Sequence, residues 1–348
     1  MRKILTISCM VFIIALVMLN LTQAEAGKTI TLKFGFSESE SDNLIEAPYT
    51  ALCSTFKMIV EQQTQGRIKV DTYPNFQLGT LESMMQQTSV GELEITAGQD
   101  AGNLATYDPI FQVLQIPYLF PSTEVAREVL AGPFGEKLNE HLIKVANMRI
   151  LAWLPSSFRD FSNNVRPIHS PKDMKGLKIR VMNIPIHIKM VEALGASATP
   201  IAWAEVYSAL QMGVIDGQEN APYTMLMQSI QEVQKYYTLD GHVINAVIAL
   251  MNEDIFQSLT PSDQSIIKRA AREAQFAFLG LIAAKETLDL KRLAKDMEIY
   301  SPTPDELKQF REAAQPVIIE ILKKQVGPDL INELLQTIEE VEKELGYR

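Results

Sequence analysis

Arginine and asparagine side chains near the ends of short apolar strands are the residues of this sequence best suited to binding chemistry. Arg180 lies in the alternating run from 176 to 182 (GLKIRVM), which predicts a short strand with one buried face. Asn220 ends the polar run from 216 to 220 (DGQEN), which follows a very short apolar strand at 214–215. Ligands of open α/β sheets collect just outside the carboxyl ends of strands. A guanidinium fork there matches the two oxygens of a carboxylate, so we expect Arg180 and Asn220 to hold a small acidic solute.

A second arginine, Arg159, follows a predicted strand at 149–154, within the polar run from 155 to 163 (PSSFRDFSN). It could add a second positive group to the same pocket. Each arginine could instead pair with a structural acid or lie on the surface. One arginine at a strand end is a weak signal, and two of them followed by the polar run at Asn220 form a stronger one.

Three further stretches could form walls of such a pocket. Trp203 follows a strand edge at 199–201, where its ring could line a pocket or pack in the core. The polar runs at 37–43 and 99–100 follow predicted strands and could hydrogen-bond the hydroxyl groups of a solute. Ordinary solvated loops are the alternative for these two runs.

The residue patterns of common enzyme and metal sites are absent from the sequence. The four histidines are scattered, and none lies at metal-ligand spacing from Cys, Asp or Glu. No nucleophile elbow, phosphate loop or dinucleotide fingerprint occurs. We therefore expect no metal, no cofactor and no enzymatic activity. The alternative is an enzyme on a similar fold, which turnover of a bound acid would reveal.

The first 26 residues have the features of a secretory signal peptide. Arg2 and Lys3 precede an apolar run at 4–21, and small residues flank the end of the segment at 24–26 (AEA). We expect cleavage after Ala26 and export to the periplasm; an uncleaved membrane anchor is the alternative.

Removing this segment changes the formal net charge from −10 to −11. An acidic exported protein is a poor candidate for nucleic-acid binding. The remaining cysteine, Cys53, is expected to be a buried thiol without a disulfide partner.

Strand and helix patterns alternate along the chain, which predicts an α/β protein. Strands are expected at 30–36, 68–73 and 93–96, with helices between them, and this order favours parallel pairing. Five more strands are expected at 149–154, 176–182, 199–201, 237–242 and 243–251. An amphipathic run from 261 to about 297 predicts one helix that could be over 50 Å long. The chain length exceeds one typical core and suggests two domains.

Several runs of the sequence resemble the solute-binding proteins of tripartite ATP-independent periplasmic (TRAP) transporters. The most specific is the stretch from 193 to 220 (ALGASATPIAWAEVYSALQMGVIDGQEN), preceded by GLKIRV at 176–181. The resemblance covers nearly all of the chain after residue 26. Shorter matching runs are TQGRI at 64–68, QLG at 77–79, IPYLF at 116–120, FRDFSN at 158–163 and TLDGH at 238–242.

The resemblance implies a two-lobed, type II-like periplasmic binding protein. Each lobe is expected to be a mixed sheet flanked by helices, with the long helix spanning both lobes. Lobe I is expected at 27–156 plus about 246–285 and lobe II at 157–245 plus about 286–348, with hinge strands near 154–158 and 240–248. A protein of this family closes over an organic acid and delivers it to the membrane permease subunits, driven by an ion gradient. We expect a monomer.

The resemblance also implies roles for particular residues. The arginine matching Arg180 makes the main salt bridge to the ligand carboxylate, and the asparagine matching Asn220 hydrogen-bonds the same group. An arginine matching Arg159 often adds to the pocket, and the position of Trp203 usually carries an aromatic wall. Loops at 36–43 and 99–100 usually contact the variable end of the ligand. From these loops the expected contacts are Phe36, Ser37, Glu38 and Gln99.

Two positions depart from the family pattern, and the ligand stays open. Met182 stands where proline is common, and Ala221 separates Asn220 from Pro222 where proline often follows directly. C4-dicarboxylates, sugar acids, keto acids and aromatic or amino-acid-derived acids all fit the pattern. Trp203 and the scarcity of further basic residues in the candidate loops slightly disfavour a dicarboxylate. A binding protein that serves a sensor kinase or another importer is the alternative to TRAP transport.

Overall fold

A computed structural model describes residues 29–347 of the protein. The expected signal peptide at 1–26 lies outside the described residues. Within 29–347, none of the helices combines the length and the apolar character needed to cross a bilayer.

Nine strands form one mixed sheet in the described part of the chain, in the order β2-β1-β3-β8-β4-β7-β5-β6, with β9 paired to β8. Two strands near the middle of this order, β4 and β8, are much longer than the others. The strands are β1 (Ile30–Phe36), β2 (Ile68–Tyr73), β3 (Ile95–Asp100), β4 (Met148–Asn163), β5 (Lys178–Val181), β6 (Ser197–Pro200), β7 (Gly217–Asn220), β8 (Tyr236–Asn252) and β9 (Glu298–Tyr300).

Helices flank this sheet. The α-helices are α1 (Pro48–Gln63), α2 (Leu81–Val90), α3 (Thr123–Ala131), α4 (Pro133–Ala146), α5 (Pro171–Met174), α6 (Pro185–Ala193), α7 (Val206–Gln211), α8 (Pro222–Met227), α9 (Glu253–Ser258), α10 (Pro261–Leu293), α11 (Pro304–Val326) and α12 (Pro328–Glu344). Short 3₁₀ helices lie at Ala101–Thr106, Pro109–Gln115, Trp203–Glu205 and Ile230–Glu232.

The first three strands form the parallel unit that the sequence predicted. β1 pairs in parallel with β2 on one side and with β3 on the other. Apolar side chains of these strands pack with α1 and α10 in one core, which also encloses the thiol of Cys53 as expected. The third strand runs from Ile95 to Asp100 rather than from 93 to 96, so Gln99 and Asp100 belong to the strand itself.

β4 and β8 connect the two halves of the sheet. They pair antiparallel along most of their lengths, with register shifts between Pro155 and Phe158 and between Arg159 and Phe161. The prediction of a strand ending at 154, and of two strands at 237–242 and 243–251, was therefore wrong. Irregular pairing lets a strand bend and continue past a proline that would otherwise end it. As a consequence, Arg159 lies inside a strand and not at a strand exit.

The second half of the sheet contains β7, β5 and β6. β5 pairs in parallel with β6 and β7, and β7 pairs antiparallel with β4. The polar run ending at Asn220 was expected to follow a strand, but it is the strand β7. Its polar side chains are buried because they bond to one another and to β4: Gln218 donates to Ser162 Oγ, and Glu219 pairs with Arg159.

The long helix α10 has 33 residues, which at 1.5 Å per residue corresponds to about 50 Å. Thr260 caps its first turn by accepting a hydrogen bond from Asp263 N. Its middle, including Ala270 and Phe278, packs in the core below β1 and β3. Its last residue, Leu293, packs in a separate core with Leu210 and other residues near β7. The helix therefore spans both halves of the molecule, as the sequence predicted.

Candidate functional site

A cavity of about 500 Å³ lies where the two halves of the sheet meet. Ser37 and Asp100 reach it from the ends of β1 and β3, and Arg180 and Asn220 reach it from β5 and β7. Arg159 reaches it from the connecting strand β4. The structure thus brings together Arg180, Asn220, Arg159, Trp203 and Ser37, five of the eight residues expected from the sequence.

Arg180 is a buried cation that forms no ion pair with any of the described residues. Its side chain is 2% exposed, and Nε donates to the carbonyl oxygen of Ile201 at 2.8 Å. Among residues 29–347 it forms no ion pair and no other hydrogen bond. Burial lowers the pKa of Arg180 to about 10, which still leaves the guanidinium charged at neutral pH. A buried charge is costly unless it is paired. This arrangement can accept the carboxylate of a bound solute.

Asn220 ends the strand β7 and lines the cavity with Arg180. The two residues come from neighbouring strands, because Ile179 of β5 pairs with Gly217 of β7. Nδ2 of Asn220 donates to Gln218 Oε1 at 2.8 Å, and its backbone oxygen accepts a hydrogen bond from Tyr237. These bonds fix the side chain at the cavity wall, where it can hydrogen-bond a ligand.

Arg159 lines the cavity but is already paired inside the protein. Its Nη2 donates to Glu219 Oε1 at 2.9 Å and to the backbone oxygen of Glu219 at 2.8 Å, and its Nε donates to Oε2. Nη1 donates to Asn245 Oδ1 at 3.2 Å. Its main contact is therefore an ion pair with a structural acid, which was one of the two alternatives for this arginine.

Two buried histidines flank the carboxylate of Glu219. His242 Nε2 lies 3.3 Å from Glu219 Oε2, and His187 Nδ1 lies 3.7 Å from Oε1. Burial alone would raise the pKa of Glu219, but Arg159 and the two histidines hold it well below its usual range. Burial opposes the charging of His242, and Asp240 and Glu219 outweigh that effect and raise its pKa to about 9. The groups around Glu219 therefore form a buried charged network behind the cavity, in which Arg159 and His242 contact the carboxylate.

Trp203 forms part of the cavity wall beside Arg180. The residue begins a short 3₁₀ helix after β6 and is half-buried. The centroid of its ring lies 5.6 Å from Cζ of Arg180, within the range of a cation–π contact. The expected aromatic wall is thus placed next to the expected carboxylate clamp.

Phe36, Glu38 and Gln99 do not line the cavity, contrary to the expectation for these three residues. Phe36 is packed in the core around β1. Glu38 Oε2 accepts hydrogen bonds from the backbone N–H groups of Tyr49 and Thr50, so its carboxyl group caps the start of α1. Gln99 Nε2 donates to Leu81 O and Thr96 Oγ1 inside the fold. Neighbouring residues lie in the cavity wall instead, namely Ser37, Gly98 and Asp100.

Several cavity residues were not predicted from the sequence. Three are aromatic residues on helices, Tyr49, Tyr223 and Phe278, whose spacing is indistinguishable from that of core residues. Asn245 also lines the cavity. It stands alone in an otherwise apolar run from 243 to 251 (VINAVIALM), and this isolated polar residue is the signal that could have revealed it.

The site has no metal-binding character. Within residues 29–347, no group of three or more His, Cys, Asp or Glu side chains is arranged to hold a metal ion. Among the described residues, the cavity wall combines one unpaired guanidinium, the carboxyl groups of Asp100 and Glu82, amide and hydroxyl groups, and aromatic side chains. The guanidinium can bind a small anion, and the other polar groups can hydrogen-bond the rest of a ligand.

A sequence profile of the family described as bacterial extracellular solute-binding protein, family 7, matches residues 39–325. The chain belongs to this family. A relative in Vibrio cholerae, the sialic acid-binding periplasmic protein SiaP, is 32% identical over 275 residues, which are 79% of this chain and 84% of the relative. In four curated relatives, the matched stretch spans from 65% to 92% of the relative's own length.

Solved structures of TRAP periplasmic solute-binding proteins have the same fold. A TRAP periplasmic solute-binding protein of Roseobacter denitrificans with bound L-galactonate matches with a TM-score of 0.80 and 29% identity, over 89% of this chain and 99% of that one. A TRAP solute-binding protein of Shewanella oneidensis with bound succinate matches with a TM-score of 0.82 and 25% identity, over 89% and 99% of the two chains. The protein is thus a TRAP-type solute-binding protein with a two-lobed α/β fold, and not an enzyme. The family resemblance, the fold class and the expected lack of catalysis are confirmed.

Proposed function

We propose that this protein captures a small organic acid in the periplasm and delivers it to a TRAP-type permease that is driven by an ion gradient. Arg180 forms a salt bridge with the carboxylate of the acid, and Asn220 donates a hydrogen bond to the same group. Trp203 covers one side of the ligand, and Ser37 contacts its other end. Arg159 forms part of the pocket wall, where its ion pair with Glu219 holds it in place.

The observation that carries this proposal is the difference between the two buried arginines. Arg159 has its carboxylate partner within the chain, whereas Arg180 is 2% exposed and has no acidic partner among residues 29–347. A guanidinium in such a place is stabilised by an anion from outside the chain. The ligands of the two relatives described above, L-galactonate and succinate, both carry carboxylates, which supports an acid as that anion.

Ligand capture is coupled to closure of two lobes in this proposal. Lobe I comprises residues 27–156 plus about 246–285, and lobe II comprises 157–245 plus about 286–348. The hinge lies in β4 near 154–158 and in β8 near 240–248, where the pairing of these strands is irregular. Closure removes water from Arg180 and so strengthens its attraction to the carboxylate. The ligand therefore shifts the equilibrium towards the closed form, because only that form offers groups from both lobes.

The protein reaches its site of action through a signal peptide that is cleaved after Ala26, and it works as a monomer. These two proposals rest on the sequence pattern at 1–26 and on the family resemblance.

A screen against organic acids tests the proposed function. The mature chain, from Gly27 onwards, is mixed with aldonates, uronates, keto acids, C4-dicarboxylates and aromatic acids, and its melting temperature is measured. A ligand at 100 times its Kd adds about 2.7 kcal/mol to the free energy of unfolding and is readily detected. Uptake of the same acid by proteoliposomes that carry the permease subunits should require the binding protein. Stabilisation by neutral sugars or amines and by no acid would contradict the proposal.

A further inference from the structure

The charged side chains in the cavity wall restrict which acid can occupy the cavity. Of the two cations in the wall, Arg159 is neutralised by Glu219, so Arg180 is left as one unpaired positive charge among the described lining residues. A third cation, Lys285, lies 4.8 Å from the ring centroid of the lining residue Tyr223, but it pairs with Glu46 and Asp289. One unpaired guanidinium suits one carboxylate.

Two acidic residues of the first half also line the cavity, and these are Asp100 and Glu82. Asp100 ends β3 and is 4% exposed. Its Oδ1 accepts hydrogen bonds from Gly102 N and from Gln115 Nε2, both at 2.8 Å. Its Oδ2 is buried and has no hydrogen-bond partner within residues 29–347. A buried oxygen of this kind is costly unless a donor reaches it. The carboxylate is therefore held rigidly by one oxygen while the other lacks a donor.

We propose that Asp100 is a specificity-determining residue, which accepts a hydrogen bond from a hydroxyl group of the ligand and excludes a second carboxylate. The ligand class is then a hydroxylated monocarboxylate, such as an aldonate, and not a dicarboxylate. The inference deepens the proposed function and rests on Arg180 binding the one carboxylate. Glu82, which is exposed at the cavity wall, adds a second negative charge that acts in the same direction.

The physical reason is that Asp100 attracts a hydroxyl group and repels a carboxylate, and both effects are stronger in a cavity than in bulk water. A hydroxyl group supplies the donor that Oδ2 lacks, and such charge-assisted bonds are stronger than neutral ones. A second carboxylate supplies no donor and brings a negative charge towards another. Specificity in binding sites often comes from such a repulsive contact with the wrong ligand.

The test uses pairs of acids that differ at one end. D-Galactonate is compared with galactarate, and D-erythronate with meso-tartrate; in each pair the terminal CH₂OH of the first is a carboxylate in the second. Isothermal titration calorimetry on the mature protein should show that the monocarboxylate binds at least about tenfold more tightly. In Asp100→Asn, which retains an oxygen for Gly102 N, the ratio of the two affinities should fall to within about threefold. Asp71→Asn changes an exposed acid of β2 and should leave the ratio unchanged.

The outcomes separate this inference from the proposed function. If galactarate or meso-tartrate binds as tightly as its partner, or if Asp100→Asn leaves the ratio unchanged, the role of Asp100 is overturned while acid binding stands. If Asp100→Asn merely lowers the melting temperature and weakens both acids of a pair equally, Asp100 is structural and the inference is also overturned. If no acid in the full screen binds, the proposed function fails and the inference fails with it.

Discussion

Arg159 and Glu219 form a buried, two-pronged ion pair that joins β4 to β7, with Nη2 of the arginine 2.9 Å from Oε1 of the glutamate. Both side chains are at most 3% exposed. Because of this pair, the two arginines of the cavity have different roles. Arg159 completes the fold, and Arg180, which has no such partner in the described chain, is available to the ligand.

Substitution of Arg159 by alanine should strongly destabilise the protein. The change leaves the carboxylate of Glu219 buried with only histidine neighbours, and breaking a buried pair in this way typically costs about 3–5 kcal/mol of unfolding free energy. Urea denaturation followed by circular dichroism measures the effect. Arg272→Ala, which removes an exposed arginine from α10, is the control and should change stability by no more than about 0.5 kcal/mol. A loss for Arg159→Ala as small as that of the control would mean that the ion pair does not support the fold.

Substitution of Arg180 by methionine should have the opposite effect on the ligand-free protein. Methionine fills a similar volume without a charge, and replacing an unpaired buried cation by an apolar group removes the cost of its desolvation. We expect the melting temperature without ligand to be equal to or higher than that of the wild type. A clear decrease in this melting temperature would indicate that Arg180 has a structural partner and is not available to bind a ligand.

Tryptophan fluorescence should report ligand binding through one of the two tryptophans in the sequence. Trp203 lines the cavity, whereas Trp153 lies in β4 within the core. Addition of a bound acid should change the emission of the wild type and of Trp153→Phe. The change should be absent in Trp203→Phe, even if calorimetry shows that this variant still binds. Persistence of the signal in Trp203→Phe would place the ligand away from this wall.

Stability should fall as the pH rises from about 6.5 to about 9. Asp240 and Glu219 raise the pKa of His242 to about 9 against the opposing effect of burial, so its contribution is full below pH 6.5 and is lost as the pH passes 9. Burial and the neighbouring Asp240 raise the pKa of Asp160 to about 8, and burial raises the pKa of Glu38 to about 8. An acid that is protonated in the folded state likewise contributes stability to the protein, and this contribution is lost as the pH rises through the folded pKa of the acid. All three groups therefore act in the same direction.

Urea denaturation at pH 6.5, 8 and 9 measures this dependence, with an expected loss on the order of a few kcal/mol. The variant His242→Asn should show a flatter profile, because one of the three titrating groups is gone. A free energy of unfolding that stays constant or rises across this range would contradict the assigned protonation states.

The sequence predicted the elements with regular periodicity better than the irregular ones. β1 and β2 were predicted with the bounds that the structure has, and so was the start of the long helix at Pro261. The extent of β4 and β8 was missed, because Pro155 and the polar residues after it have the local features of a strand exit. Only the pairing of β4 with β8 and β7, which is a long-range property, shows that the strand continues.

The residues of the cavity show the same contrast between features that can be read locally and features that depend on long-range contacts. Arg180 was predicted in the cavity because the alternation of its strand can be read locally, and Asn220 was predicted there although its polar run is itself the strand. The placement of Gln99 and Asp100 was not readable, because a register shift between Ala97 and Gln99 decides which side chain faces the cavity. Phe278 was missed because a helix presents it from a distant part of the chain, where its spacing is that of a core residue.

Calorimetric titration of Arg180→Lys with an acid that binds the wild type tests the central claim most directly. Lysine keeps the charge but loses the planar fork, and breaking a desolvated charged contact costs at least about 2 kcal/mol, or roughly 30-fold in Kd. The control is Arg272→Lys on the exposed surface, which should bind like the wild type. We predict a loss of at least this size in Arg180→Lys with an unchanged melting temperature in the absence of ligand. An unchanged affinity would contradict the account, because the carboxylate would then be held by a group other than Arg180.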